Sequence, residues 1–190
     1  MLLKHPPRFS KSVEAVLERL PALEGTSIEL RFRPELTAGA RKLYSKRRYG
    51  QPVFAASYIR RRIIVLDQEL QQDPRELSRI LAHELFHFVW VRLGNRFRQQ
   101  YEALLVEEFK QHARGELGWS AESRKAPLAG KPPAVHNARF LDYACESFCD
   151  TAAWLYAGLR QHPEFTLADR YRKRRSDWFH ATFLNRRIPI

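Results

Sequence analysis

Cysteine is scarce in this chain of 190 residues: Cys145 and Cys149, four apart in one apolar stretch, are the only two. That excludes a disulfide-stapled scaffold, and both thiols read as small core residues, since a spacing of four along a helix suits a disulfide poorly. Long apolar runs are missing as well. No stretch reaches the roughly 18 consecutive apolar residues that a membrane-spanning helix requires. The opening Met1-Leu2-Leu3-Lys4-His5-Pro6-Pro7-Arg8 lacks the apolar core and small-residue cleavage site of a secretory leader, so the expected compartment is a reducing cytoplasm. Carboxylates are in deficit, 21 Asp and Glu against 33 Lys and Arg, for a net charge of +12. Internal repeats and low-complexity segments are absent too.

What is present is enough for a packed core. Hydrophobic residues make up 44% of the chain and aromatics 12%, which at this length predicts one domain over 1–190 rather than disorder. Ser10 can cap a first helix to about Leu20, with Val13, Val16, Leu17 and Leu20 on one face and Pro21 ending it. Ile28, Leu30 and Phe32 alternate with Glu29, Arg31 and Arg33 as in a half-buried strand. Residues 37–50 read as basic and irregular. Strands are expected at 53–58 and 62–66, paired as a hairpin. Helices are expected at 74–93, 96–114 and 139–156, and a last one to about Leu184 starts at the box Thr166-x-x-Asp169. Residues 116–137, with three prolines at 127, 132 and 133, read as one long loop. Strands first and helices after give α+β: a small mixed sheet packed on the 74–93 helix, with further helices C-terminal.

That helix carries His83-Glu84-Leu85-Phe86-His87. In a chain with 7 His, a chance His-Glu-x-x-His is expected about 0.02 times. Four-residue spacing stacks the two imidazoles on one helical face, a two-point clamp for a divalent ion that accepts neutral nitrogen. Glu84, about 100° round the helix, would stay out of the shell and reach a metal-bound water, where a carboxylate serves as general base. Asp73 as N-cap, Pro74 at the first helical position and Glu76 at the third start the helix; Leu77, Ile80, Leu81, Phe88 and Val91 form its apolar stripe; Gly94-Asn95 ends it.

A third ligand is expected from the 139–156 helix. Glu146 and Asp150 share one face there, among Ala144, Cys145, Phe148, Cys149 and Ala153. Two carboxylates in such company are costly to bury unless paired or metal-bound. Glu146 would complete a His-His-Glu set, and Asp150 would accept the remaining ring N–H of a ligating histidine.

His83-Glu84-x-x-His87 followed by Glu146-x-x-x-Asp150 resembles the gluzincin branch of the zincin metallopeptidases, over about residues 52–158. The resemblance implies one zinc ion on His83, His87 and Glu146, Glu84 as general base, Asp150 orienting His83, and a sheet edge from 53–66 holding an extended peptide. Gluzincins often use a Tyr or His for the oxyanion; Tyr143 and His136 are the candidates nearest in sequence. The chain departs from the metzincin pattern, with Trp90 and Leu93 where a Gly and a His belong, and from Sprt-like proteases, with Arg92 at the position of a third His. It has no room for the extra helical domain of larger gluzincins and looks like the minimal or small bacterial regulatory type. The implied activity is peptide-bond hydrolysis on a protein or peptide substrate.

Charge leaves other readings open. Basic residues gather at Arg41–Arg48, Arg60–Arg62, Arg172–Arg175 and Arg186-Arg187. Such runs suit nucleic acid, an acidic partner or an anionic membrane surface, although no helix-turn-helix, finger or RNA-binding signature accompanies them. A nucleic-acid-associated protein with a bracing ion, and a zincin-like regulator with one dedicated partner, stand beside the peptidase.

Overall fold

The computed structural model describes residues 3–4, 10–40, 42–46, 49–128, 137–184 and 186–190. Along them run β1 (Leu3–Lys4), α1 (Ser10–Leu17), β2 (Leu23–Glu24), β3 (Ile28–Arg33), β4 (Leu36–Gly39), β5 (Lys42–Ser45), β6 (Gln51–Pro52), β7 (Ala55–Tyr58) and β8 (Ile63–Asp67). Then follow α2 (Pro74–Arg92), α3 (Asn95–Lys110), α4 (Trp119–Lys125), α5 (Ala138–Tyr156), α6 (Asp169–Phe183) and β9 (Ile188–Pro189). The result is mixed α and β, with the sheet near the N-terminus and most of the helix after it, as the residue patterns imply.

The main sheet has the order β1-β3-β8-β7. β3 alternates as expected, Ile28, Leu30 and Phe32 buried and the charged residues out. β8 lies between two strands and reads as an unbroken apolar run, the signature of a strand covered on both faces. β7 and β8 form the expected hairpin, antiparallel with Ser57 opposite Ile64, and the turn between them closes on Arg62 in the left-handed region. β7 is therefore the outer strand, and α2 runs beside it.

α2 begins as its sequence dictates: the Asp73 side chain accepts from the N–H groups of Arg75 and Glu76, and Pro74 occupies the first turn. Leu77, Leu81, Leu85 and Phe88 are buried, whereas Val91, expected in the same stripe, is exposed. α2 packs along α5. Around that contact Phe86, Phe148, Phe179 and Phe183 interlock, with Phe148 and Phe179 stacked at 5.0 Å between centroids.

Three expectations are corrected. The 37–50 segment is not irregular throughout: among the described residues β4 pairs antiparallel with β5 and β6 in a small separate sheet, whose backbone ladder forms despite the charge of the segment. The 116–137 stretch is not one loop, because α4 and a short 3-10 turn over Ala126–Leu128 occupy 119–128 within it. The Thr166 box does not cap α6; its N-cap is Ala168, and the Thr166 hydroxyl instead takes the Glu116 N–H at 3.0 Å.

A buried ion cluster fixes the segment leading into α4. Arg175 on α6 is fully buried and bonds Glu108 of α3 at 2.6 Å and Glu116 at 2.7 Å; Lys125 and the Tyr143 hydroxyl also donate to Glu116. Two carboxylates neutralise the buried guanidinium and take most of its donors, which offsets the cost of removing it from water. Among the described residues, no helix is long and apolar enough to cross a membrane.

Candidate metal centre

One turn of α2 stacks His83 over His87, and one turn of α5 stacks Glu146 under Asp150; the packing of the two helices brings these pairs together. His83 Nε2 and His87 Nε2 lie 3.1 Å apart, and Glu146 Oε2 lies 3.3 Å from the first and 3.9 Å from the second. A tetrahedral ion with ligands at about 2.0–2.1 Å has ligand-to-ligand edges of about 3.4 Å. The three atoms thus outline one face of such a shell.

Behind His83, Nδ1 donates to Asp150 Oδ1 at 2.7 Å. The other carboxylate oxygen, Oδ2, accepts the Ala121 N–H at 2.8 Å. Asp150 therefore fixes the ring and its proton on Nδ1, which leaves Nε2 bare for an ion, and at the same time anchors the first turn of α4. Gly118, just before that turn, is required by the closeness: a Cβ there would stand 2.2–2.4 Å from the Asp150 carboxylate.

Behind His87 the arrangement differs. Its Nδ1 faces two thiols, Cys145 Sγ at 3.5 Å and Cys149 Sγ at 3.4 Å. The cysteines are free, as expected, but they are not mere core filling. His83, His87 and Cys149 form a second group able to hold a metal ion, each offering one ligand atom with all three atoms within 4.8 Å of one another. The two sets share the histidines and differ in the third donor. Cys149 lies against Nδ1 of His87, whereas both Nε2 atoms turn toward Glu146, and one imidazole cannot present opposite ring nitrogens to a single ion.

Electrostatics follow the geometry. Burial disfavours the His83 imidazolium, yet Asp150 and Glu146 outweigh it and hold its pKa well above the usual imidazole range. Burial would likewise raise Glu146, but the hydrogen bond with His83 and the charges of His87 and His83 pull it down to about 2. The hydrogen bond to Cys149 is the largest influence on Cys145, lowering its thiol to about 6.

Glu84 is 7% exposed and lines, with His83, Arg79, Trp119 and Ser120, a cleft of about 310 Å³ beside the 51–55 segment. Its Oε2 accepts from Ser57 Oγ at 2.5 Å, and the same hydroxyl reaches the Glu84 backbone carbonyl at 3.2 Å. Ser57, on the outer strand, was not visible as a site residue: a lone serine in a short strand carries no pattern. Nor was Arg79, one turn before His83, which bonds Glu76 on its own helix and Glu164 across the cleft at 3.0 Å. Glu164 in turn takes the Trp119 N–H at 2.7 Å, so Asp150 and Glu164 together cap α4.

Tyr143 is corrected as an oxyanion donor. It is fully buried and donates its hydroxyl to Glu116 at 2.5 Å, in the ion cluster rather than the cleft. His136 lies outside the described residues. Comparison with known proteins adds no neighbour: no family model, no curated protein and no solved structure matches the chain.

Proposed function

We infer that the chain is a zinc-dependent peptidase of gluzincin type with a zincin-like fold, acting on a protein or peptide. The observation that carries this reading is the convergence of His83 Nε2, His87 Nε2 and Glu146 Oε2 beside a cleft that Glu84 also lines. Two nitrogens and one carboxylate oxygen, with room for a fourth donor, form the donor set of an open zinc site. Bound there, zinc would polarise a scissile carbonyl and acidify the attacking water.

Each residue then has a task. β7 offers its free edge to an extended substrate main chain, the pairing that binds peptides without demanding particular side chains. Asp150 keeps the proton of His83 on Nδ1. The Ser57 hydroxyl holds one Glu84 oxygen in place, which aims the carboxylate into the cleft. Glu84 takes the proton of the attacking water and later delivers it to the leaving amine nitrogen.

A second reading rests on Cys149. With the thiol as third donor the ion would be braced within the helices and would leave Glu84 without a role. Glu84→Gln separates the two. On the peptidase reading the variant keeps its zinc and its fold and loses cleavage of a peptide library by roughly 10²–10⁴-fold, the usual contribution of a general base. Cleavage at the wild-type rate would rule out that role for Glu84.

A further inference from the structure

Several basic residues of the sequence runs are engaged by the fold. Arg175 is consumed by Glu108 and Glu116, Arg172 donates to the carbonyls of Leu167 and Phe165, and Lys173 pairs with Asp177. Arg174 lies over the Tyr171 ring and donates to Gln111. Arg62 is spent on the Ser27 carbonyl and the Phe88 face.

The fold instead gathers arginines that are remote in sequence. A cleft of about 650 Å³ is lined by Arg19, Arg75 and Arg160. A second, of about 450 Å³, is lined by Arg19, Arg186, Arg187 and His180, so that Arg19 joins the two. No Asp or Glu lines either cleft, in a chain that has 21 of them. Arg19, Arg75, Arg160 and Arg187 are all exposed, and among the described residues none has an ion-pair partner. Asp73, beside Arg75 in sequence, turns its carboxylate to backbone N–H groups instead.

Arg19, though exposed, lies close against the backbone at the junction. Gly158 has φ +75°, and a Cβ there would meet Arg19 Nε at 2.8 Å, so the guanidinium rests on bare backbone. Apolar surface accompanies the charge: the second cleft is also walled by Tyr156 and by Leu184, which is 65% exposed.

Unpaired cations around two clefts that share Arg19 suit a polyanion, and aromatic or apolar surface beside them suits unstacked bases. We propose that these adjoining clefts bind single-stranded nucleic acid, with phosphates on Arg19, Arg75, Arg160 and Arg187 and a base against Tyr156 and Leu184. This surface is separate from the residues of the metal centre, and the proposal does not depend on peptidase activity.

The test is fluorescence anisotropy of a labelled oligothymidine with the full chain, titrated between 50 and 200 mM salt. The triple variant Arg19→Glu, Arg75→Glu, Arg160→Glu is compared with Arg60→Glu, Arg61→Glu, Arg96→Glu, three exposed arginines elsewhere that change net charge equally. The groove variant is expected to bind at least tenfold more weakly, with a slope of log affinity against log salt shallower by about 2, from three lost phosphate contacts at about 0.7 each. The control is expected to stay within about threefold of wild type. The milder set Arg19→Gln, Arg75→Gln, Arg160→Gln guards against misfolding and should show the same order. No binding by wild type at 50 mM salt, or equal losses in groove and control variants, would overturn the proposal. So would tighter, groove-dependent binding to phosphatidylglycerol vesicles than to the oligonucleotide.

Discussion

Asp150 shows how much one carboxylate can decide. It accepts two N–H groups, one from the His83 ring at 2.7 Å and one from the Ala121 backbone at 2.8 Å. Asn at this position has a single carbonyl oxygen to offer, so its amide NH₂ must face one of two donors. Asp150→Asn is therefore expected to lower metal affinity by about 10–100-fold, the usual effect of losing a partner behind a ligating histidine, and to cost about 1–3 kcal/mol of stability. Competition with a chromogenic chelator and thermal unfolding of the metal-free protein measure the two separately. Wild-type affinity in the variant would mean that His83 needs no orienting carboxylate.

At this scale the sequence was most readable. His83, Glu84, His87, Glu146 and Asp150 all sit at four-residue or adjacent spacing on long helices, where periodicity alone fixes which side chains share a face. What it could not show is what stands behind each ligand. The thiols at His87 Nδ1 and the Ser57 hydroxyl on Glu84 come from pairings between elements, and nothing local announces them.

Among the elements, α4 bears most directly on the metal centre and was the least legible. Pro127, Pro132 and Pro133 after it read as loop punctuation. The helix has no side-chain cap of its own; its first N–H groups are taken by Glu164 and Asp150, 45 and 29 residues away. A cap supplied from so far along the chain leaves no local trace. α2, by contrast, carries its own cap at Asp73 and Pro74 and was read within a residue or two of its ends. β4, β5 and β6 were missed because the basic residues of the 37–50 segment and the shortness of its strands hide the backbone ladder that holds them.

Two glycine substitutions test the role of α4. Gly118→Ala forces a methyl into the Asp150 carboxylate, so either α4 or Asp150 must move, and metal affinity should fall together with stability. Gly94→Ala, at the N-cap of α3, meets nothing within 4 Å; it should leave metal affinity unchanged and cost at most about 1 kcal/mol, because Ala caps a helix less well than Gly. Chelator competition and urea unfolding of both variants check this. Equal behaviour of the two would mean that α4 is not coupled to the metal centre.

For the molecule as a whole, the ion cluster around Arg175 ties α3, α5, α6 and the α4 approach into one piece. Burial favours neutral Glu116, but Arg175 and Lys125 overcome it and bring its carboxyl from 4.5 down to about 2. A depressed carboxylate stabilises the fold above its unfolded pKa, and that stability is lost as pH falls from 4.5 toward about 2. At 1.36 kcal/mol per unit, the loss is about 3 kcal/mol. Urea midpoints measured from pH 7 down to pH 3 should hold steady to about pH 5 and then fall, and Glu116→Gln, less stable throughout, should show a shallower decline below pH 5. A parallel decline in the variant would assign the acid sensitivity to other carboxylates.

The mixed architecture, the hairpin and the two ligand-bearing helices were all legible from alternation and periodicity, because each is set by residues near one another in sequence. The buried cluster and the arginine-lined clefts were not, since Arg175 of the basic run at 172–175 turns inward to carboxylates from distant segments, and Arg172 folds onto the carbonyls of Leu167 and Phe165.

The central claim is that two helices bring His83, His87 and Glu146 to one divalent ion. It is tested most directly by elemental analysis of the purified full chain beside Glu146→Ala and Cys149→Ser. One zinc per chain is expected in wild type, retained in Cys149→Ser and lost in Glu146→Ala. A wild-type protein without stoichiometric metal, or zinc kept by Glu146→Ala and lost by Cys149→Ser, would contradict it.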